Sequence, residues 1–124
     1  MNIQQINKNG VSIAYVTNNE KLISDVQSAL DLMATVRYEV TDCNLIIVNK
    51  SEVSEAFFDL KTRLAGEVLQ KFINYQTKIA IIGDYSGYTS KSLKDFIYES
   101  NNGNDIFFVS DEHQAVEKLS GFKS

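Results

Sequence analysis

The chain has 124 residues, 44% hydrophobic and 23% charged, which is an ordinary composition for one globular domain. Its formal net charge is −4, with 12 basic residues scattered among 16 acidic ones, so we exclude a nucleic-acid-binding protein, which needs clustered Lys and Arg. Cys43 is the single cysteine, so no internal disulfide can form. The first residues lack a signal-peptide pattern and every apolar run is too short to span a membrane, so we expect a cytoplasmic protein.

A β-hairpin is predicted at the start of the chain. Residues 2–6 and 11–17 are rich in Ile, Val and Tyr, and Asn9-Gly10 stands between them. Both turn residues tolerate positive φ, and such a pair between two apolar runs favours a tight turn. We therefore expect the first two strands to be antiparallel.

A first helix is predicted from about Glu20 to Tyr38, because apolar residues recur there at steps of three and four. Asn18 or Asn19 is its predicted N-cap. Residues 43–49 (CNLIIVN) then form a continuous apolar run of strand length. Such a run is typical of a strand that is covered on both faces, as in a parallel sheet.

The central segment predicts one long helix, from Glu55 to beyond Phe72, with Ser54 as its N-cap. Its apolar residues spread over more than half of the helical circumference, and Lys61 falls in the middle of that arc. Two interpretations stay open. The helix is either simply well buried or makes a second contact, such as the face of a homodimer.

The last third of the chain predicts two more strands, each followed by a helix. The strands are Lys78–Gly83 and Asp105–Val109. Thr89 or Ser90 caps a helix that runs to about Ser100, and Ser110 caps a short final helix.

The predicted order is therefore β-β-α-β-α-β-α-β-α. Strands that alternate with helices favour parallel pairing with right-handed crossovers. We expect an α/β fold: a five-stranded mixed sheet with an N-terminal antiparallel hairpin followed by parallel strands, and four helices. Residues 1–124 would form a single domain.

Two known families share this βα pattern. Response-regulator receiver domains carry a phosphoacceptor Asp after the third strand and a Lys after the fifth, whereas here the strands end in Asn49 and Ser110. That resemblance is rejected. The opening hairpin and the alternating helices and strands resemble the STAS domain of bacterial anti-sigma-factor antagonists. FFDLKTRLAGEVLQKF resembles its signature region, which places Thr62 at the phosphoacceptor position, although Arg63 stands where the signature has glycine.

The same segment, together with GDYSGYTSKSLKDFIYESN, also resembles a bacterial family of small single-domain proteins of unknown function. This resemblance extends over nearly the whole chain. It implies no activity, cofactor or partner.

Ligands of open α/β sheets bind at the carboxyl ends of the parallel strands, next to helix N-termini. Lys61 is the most informative candidate there, because a buried lysine is costly unless it is paired. It could reach the sheet edge and pair with Asp84 or Asp59. It would then be a structural ion pair, a stem that snorkels to solvent, or a functional lysine with a shifted pKa. The candidate residues at this edge, for a ligand or a partner, are Asp59, Lys61, Thr62, Asp84, Tyr85, Tyr88 and Ser90, with Asn49 and Ser110 as strand ends.

Other polar features have simpler interpretations. Asp59, Arg63 and Glu67 are spaced as a charge ladder along one helix face. Gly66 lies on the same face, where it either allows another backbone to approach closely or is simply tolerated. His113 is the only histidine and is expected to be solvated, so the sequence predicts no metal site and no cofactor.

Two functional hypotheses remain. The first is a non-catalytic regulatory or protein-interaction domain of STAS-like type, with an unknown protein partner and neither nucleic-acid nor membrane binding. The second is an enzyme that binds a small anionic molecule and uses Lys61, Asp59 and Asp84 at the carboxyl edge of the sheet.

Overall fold

A computed structural model describes residues 1–121. In this range the strands are β1 (Asn2–Lys8), β2 (Val11–Thr17), β3 (Leu45–Asn49), β4 (Lys78–Ile82) and β5 (Ile106–Val109). The helices are α1 (Val26–Glu39), α2 (Glu55–Phe58), α3 (Leu64–Asn74), α4 (Lys91–Asn101) and α5 (Glu112–Ser120), with 3₁₀ turns at Lys50–Glu52 and Leu60–Thr62. None of these helices is both long and apolar enough to cross a membrane.

The predicted mixed sheet is confirmed. Its five strands lie in sequence order, with β1 antiparallel to β2 and the neighbouring pairs from β2 to β5 parallel. The hairpin turn is also confirmed, because Asn9 and Gly10 have φ of 54° and 79°. Both values lie in the left-handed region that a tight two-residue hairpin turn requires.

The helices cover both faces of the sheet unequally. Since the parallel strands follow one another in a single direction, right-handed crossovers place the connecting helices on the same face. Buried residues of α1, α3 and α4 share one apolar cluster on that face with Ala14, Ile46 and Ile79. Ala115 and Leu119 of α5 lie on the opposite face in a second cluster.

The first helix begins later than predicted. α1 starts at Val26, and its cap is Asp25, whose carboxylate accepts a 2.7 Å hydrogen bond from the main-chain N–H of Ser28. Neither Asn18 nor Asn19 caps it. The residues just before the helix are irregular instead, and Ile23 among them forms an isolated parallel bridge with Val53.

The prediction of one long central helix is wrong. The segment is divided into α2, a 3₁₀ turn and α3, so the described residues contain five α-helices where four were predicted. Asp59 ends α2 and caps the 3₁₀ turn, and Arg63 adopts a left-handed conformation with φ of 67°. Because of the break, Phe57 and Phe58 do not have to share one helix face with Leu64 and Val68. All four side chains are buried.

The remaining boundaries differ by small amounts. Ser90 caps α4, which was one of the two predicted possibilities. Asp111 caps α5, whereas Ser110 binds the side chain of Gln114. β3 begins at Leu45, and Cys43 is buried just before it, where burial raises the pKa of its thiol.

Candidate functional site

The carboxyl ends of the parallel strands form one edge of the sheet. β3 ends at Asn49, Gly83 and Asp84 follow β4, and Ser110 follows β5, as the alternation of strands and helices implies. A shallow depression of about 520 Å³ lies at this edge beside β4 and β5. Its lining residues are Gly83, Asp84, Tyr85, Phe108, Val109, Ser110 and Gln114.

Lys50 is the central cation at this edge, and the sequence analysis did not select it. It follows β3 directly, and the parallel register between Asn49 and Ile82 brings it beside Gly83. A Cβ on Gly83 would lie only 2.5 Å from the Cβ of Lys50, so the lysine stem fits because this neighbour is glycine.

The ammonium of Lys50 is held by a carboxylate and two aromatic rings. Its Nζ lies 3.3 Å from Oε1 of Glu55 and 5.2 and 5.0 Å from the ring centroids of Phe58 and Tyr88. The Tyr88 hydroxyl donates to the same carboxylate, at 3.2 Å from Oε1 and 3.1 Å from Oε2. We call Lys50, Glu55, Phe58 and Tyr88 the Lys50 cluster.

The electrostatics of this cluster keep Lys50 charged. Its hydrogen-bonding interaction with Tyr88 and its attraction to Glu55 raise the pKa of Lys50, against the opposing effect of burial. The pKa of Tyr88 is also raised, first by burial. At neutral pH Lys50 is therefore an ammonium and Tyr88 a neutral phenol.

Tyr85 and Asp84 lie next to the cluster in different environments. The Tyr85 hydroxyl donates a 2.7 Å hydrogen bond to the carbonyl oxygen of Ile81, and burial strongly raises the pKa of Tyr85. The Ser86 hydroxyl, 2.6 Å from Asp84, lowers the pKa of that carboxyl, and Lys50 adds a smaller effect in the same direction. Tyr85 is thus a partly buried residue that packs against the core, whereas Asp84 is an exposed carboxylate.

Phe58 and Tyr88 of the Lys50 cluster belong to a larger group of packed aromatic rings. Phe58 stacks on Tyr88 with centroids 5.4 Å apart, and it also meets Tyr85 and Phe108 at 5.9 and 6.3 Å. Phe96 of α4 contacts Phe108 at 6.0 Å. Such ring pairs add stability beyond that from the apolar area they bury. This part of the edge is therefore closely packed.

A second depression lies between α2 and the start of α4, with a volume of about 870 Å³. We call it the Thr62 groove. It brings together five of the seven candidate residues, whereas Asp84 and Tyr85 line the other depression. Its lining residues are Glu55, Ala56, Phe58, Asp59, Leu60, Lys61, Thr62, Tyr88, Ser90 and Ser92.

The polar side chains of the Thr62 groove also build its wall. The Thr62 hydroxyl lies 2.6 Å from the carbonyl of Ala56 and 2.8 Å from that of Asp59, and it accepts from the N–H of Leu64. The Asp59 carboxylate accepts from the N–H of Lys61 at 3.1 Å. These bonds hold the 3₁₀ turn and fix the break in the helix.

The interpretation of Lys61 as a buried lysine is wrong. Its side chain is exposed, and among residues 1–121 its ammonium forms no ion pair with Asp59 or Asp84. The predicted position assumed a continuous helix, and the break at Asp59 and Arg63 turns Lys61 toward solvent. The lysine that lies near Asp84 is Lys50.

The predicted charge ladder is also wrong, and of the two interpretations of Gly66 the structure favours simple tolerance of the glycine. Asp59 and Arg63 lie on either side of a 3₁₀ turn, so Asp59, Arg63 and Glu67 do not share one helix face. A Cβ on Gly66 would meet nothing within 4 Å, so no second backbone packs there.

Glu52 is a second residue that the sequence analysis missed. It is only 3% exposed, and its carboxylate accepts 2.8 Å hydrogen bonds from the N–H groups of Asn18 and Asn49. It thereby ties the end of β2 to the end of β3.

Within residues 1–121 no group of three or more His, Cys, Asp and Glu side chains could hold a metal ion.

The fold and this edge define a class of protein: an α/β protein with a mixed five-stranded sheet, whose carboxyl edge carries a charged and aromatic cluster. The chain belongs to the family described as a domain of unknown function, DUF4180, which matches residues 8–119. No curated protein matches the chain.

Proposed function

We propose that this DUF4180 domain is a non-catalytic regulatory or protein-interaction domain of the bacterial cytoplasm, related to STAS domains, that binds a protein partner in the Thr62 groove. One observation carries the proposal. The Lys50 cluster occupies the carboxyl edge beside β3, where an α/β enzyme could hold a substrate, and beside β4 and β5 this edge has a shallow depression.

The chemistry of the cluster supports a binding role over a catalytic one. A lysine that abstracts a proton or forms a Schiff base needs a lowered pKa, whereas the pKa of Lys50 is raised. Its charge is balanced by Glu55 and its stem is confined by Gly83. Lys50 therefore suits a structural or anion-attracting role.

The Thr62 groove, at about 870 Å³, offers a larger surface than the depression of about 520 Å³ beside β4 and β5. It is wide and open, and it presents the exposed side chains of Lys61, Asp59 and Ser90 beside the ring of Tyr88. Tyr is enriched in protein interfaces, and their rims are polar and solvent-accessible. The matching STAS segment is the one that carries the phosphoacceptor in that family, which supports a regulatory role for this face.

Capture of partners from cell extract tests the proposal. Immobilised wild-type protein and the Lys61→Glu variant are compared, with Lys94→Glu on the exposed side of α4 as a control for the same change of charge. We expect one protein to be captured by the wild type and by Lys94→Glu and to be lost with Lys61→Glu. Equal capture by all three would place the partner elsewhere and refute the role of this groove.

Regulation through Thr62 has its own structural consequence. A phosphate would remove the hydroxyl hydrogen that serves the carbonyls of Ala56 and Asp59, and it would add negative charge beside Asp59. We expect phosphorylated protein to bind the captured partner at least tenfold more weakly than unmodified protein. Unchanged affinity, measured by calorimetry, would remove Thr62 as the switch.

A small anionic ligand is the second candidate, and the exposed ammonium of Lys61 in a groove of about 870 Å³ favours it. Thermal unfolding against nucleotides, phosphosugars and metabolite acids tests it, since a ligand at one hundred times its Kd adds about 2.7 kcal/mol of stability. A rise in Tm that Lys61→Met abolishes would support this ligand and reopen the enzyme hypothesis. A flat panel would leave the protein partner.

A further inference from the structure

β1 forms an open edge of the sheet. It is the outermost strand in the order β1 to β5, so one side of its seven residues meets no other strand among residues 1–121. An extended strand of this length spans roughly 24 Å. Unpaired N–H and C=O groups along such an edge are a template for another strand.

The hairpin register identifies the outward groups. The two-residue turn makes Lys8 and Val11 a hydrogen-bonded pair, so every second residue along β1 bonds to β2. The intervening residues Ile3, Gln5 and Asn7 therefore direct their main-chain groups outward. No hydrogen bond within residues 1–121 reaches those groups.

The opposite edge of the sheet is capped at one residue of β5 by a side chain of the same chain. The N–H of Phe108 in β5 donates to the Asn101 side chain at 2.7 Å, and the Asn101 amide donates back to the Phe108 carbonyl at 3.1 Å. The side chain thus takes the place that a neighbouring strand would have. Lys118 further fixes this residue by a bond to the Asn101 carbonyl at 3.3 Å.

β1 has none of the usual features that protect an edge. The chain contains no proline, and the pairing with β2 runs from Asn2 to Lys8 without a bulge. Its one charged residue, Lys8, is already paired with Glu117 at 3.2 Å. Unlike Phe108 in β5, the outward main-chain groups of β1 are left open to another strand.

We propose that β1 pairs with β1 of a second copy of this chain, antiparallel and about a two-fold axis at Gln5. In this register Ile3 of each copy faces Asn7 of the other, and Gln5 faces Gln5. The three outward residues of each copy then form about six main-chain hydrogen bonds. The two sheets become one continuous sheet across the dimer.

The strand is complementary to itself, which favours a second copy over another protein. A two-fold interface needs one patch that fits its own rotated image. Here Lys8 faces the uncharged Asn2, and the opposed Gln5 amides can each donate and accept. Like charges do not face each other directly in this register.

A charge-exchange experiment tests the dimer. Sedimentation of the wild type should show a reversible dimer, and Gln5→Lys and Gln5→Glu should each be monomeric, because like charges then meet at the axis. An equimolar mixture of the two variants should restore the dimer. Gln70→Lys on the exposed side of α3 is the control and should dimerise like the wild type.

The result that overturns the proposal is a wild type that stays monomeric up to millimolar concentration, or a dimer that both Gln5 variants retain. Recovery in the mixture shows that the single variants are folded. This experiment is independent of the Thr62 groove, so either proposal can fail alone.

Cysteine cross-linking tests the register. In a Cys43→Ala background, Gln5→Cys should form an intermolecular disulfide on oxidation, because directly opposed residues lie about 5.5 Å apart at Cα. Gln4→Cys is the control, since its two copies would lie roughly 8 Å apart along the diagonal. Faster cross-linking through position 4 would refute the axis at Gln5.

Discussion

Gly83 and Lys50 lie side by side across β4 and β3, and the glycine leaves room for the lysine stem. The β3–β4 register continues past Asn49 and Ile82, which makes these two residues neighbours. A Cβ on Gly83 would lie 2.5 Å from Cβ and 2.9 Å from Cδ of Lys50. Because Gly83 has no side chain, the stem of Lys50 can take the position from which its ammonium contacts Glu55.

Replacement of this glycine should destabilise the protein. We expect Gly83→Ala to lower the free energy of unfolding by about 1–3 kcal/mol, because the new methyl group displaces a stem held between strands. Urea unfolding measures the change. Gly66→Ala is the matched control and should stabilise by roughly 0.5–1 kcal/mol, since its Cβ meets nothing and alanine favours a helix. A neutral Gly83→Ala would contradict the contact.

Arg63 provides a test of the break in the central helix. Its left-handed φ of 67° costs a residue with a Cβ roughly 1 kcal/mol or more, whereas glycine adopts it freely. Arg63→Gly should therefore raise the free energy of unfolding by about 0.5–1 kcal/mol. In a continuous helix the same change would lower it by about 1 kcal/mol, so the sign measured in urea decides between the two structures.

Glu52 should be a strong contributor to stability. Glu52→Ala leaves the N–H groups of Asn18 and Asn49 without their acceptor, which costs about 1–3 kcal/mol for each donor left unpaired. Thermal and urea unfolding should both show the loss. Glu20→Ala, at an exposed position in the same loop region, should change stability by less than about 0.5 kcal/mol. Similar effects of the two variants would argue against this role.

The raised pKa of Tyr85 predicts that the folded protein loses stability at alkaline pH. Its pKa is raised on folding, so the folded state holds the phenol proton after the unfolded state, near its ordinary pKa of 10, has lost it. Stability is therefore fully present below about pH 10 and falls above it, by up to about 1.4 kcal/mol per pH unit for this group.

The Tyr85→Phe variant isolates this contribution. It should be less stable at neutral pH, because the carbonyl of Ile81 loses its donor, but its stability should fall less steeply above pH 10. Lys50 and Tyr88 also have raised pKa values and leave a residual slope of the same sign. Identical slopes for wild type and variant, from urea unfolding between pH 9 and 11, would contradict the buried phenol.

The seven candidate residues show how much of the site could be predicted from the sequence. Thr62 was selected from the resemblance to the STAS signature and Ser90 from its place at a helix start, and the structure brings both together in one groove. Lys61 was selected from its position on an assumed helix, and it is exposed instead. Lys50 carried a usable signal, since it directly follows the buried run LIIVN, but only the tertiary structure shows that it lies between two rings and a carboxylate.

The sequence by itself determined the strands, the hairpin turn and the parallel order, because these depend on local apolar periodicity and on the φ preference of Asn9-Gly10. Only the tertiary structure decided the break of the central helix, the burial of Glu52 and the place of Lys50. Those features depend on contacts between distant segments: Phe58 packs on Tyr88, and Glu52 bonds to Asn18. The helical periodicity of the sequence continues through Asp59 and Arg63. It therefore could not predict the break between α2 and α3, which depends on packing.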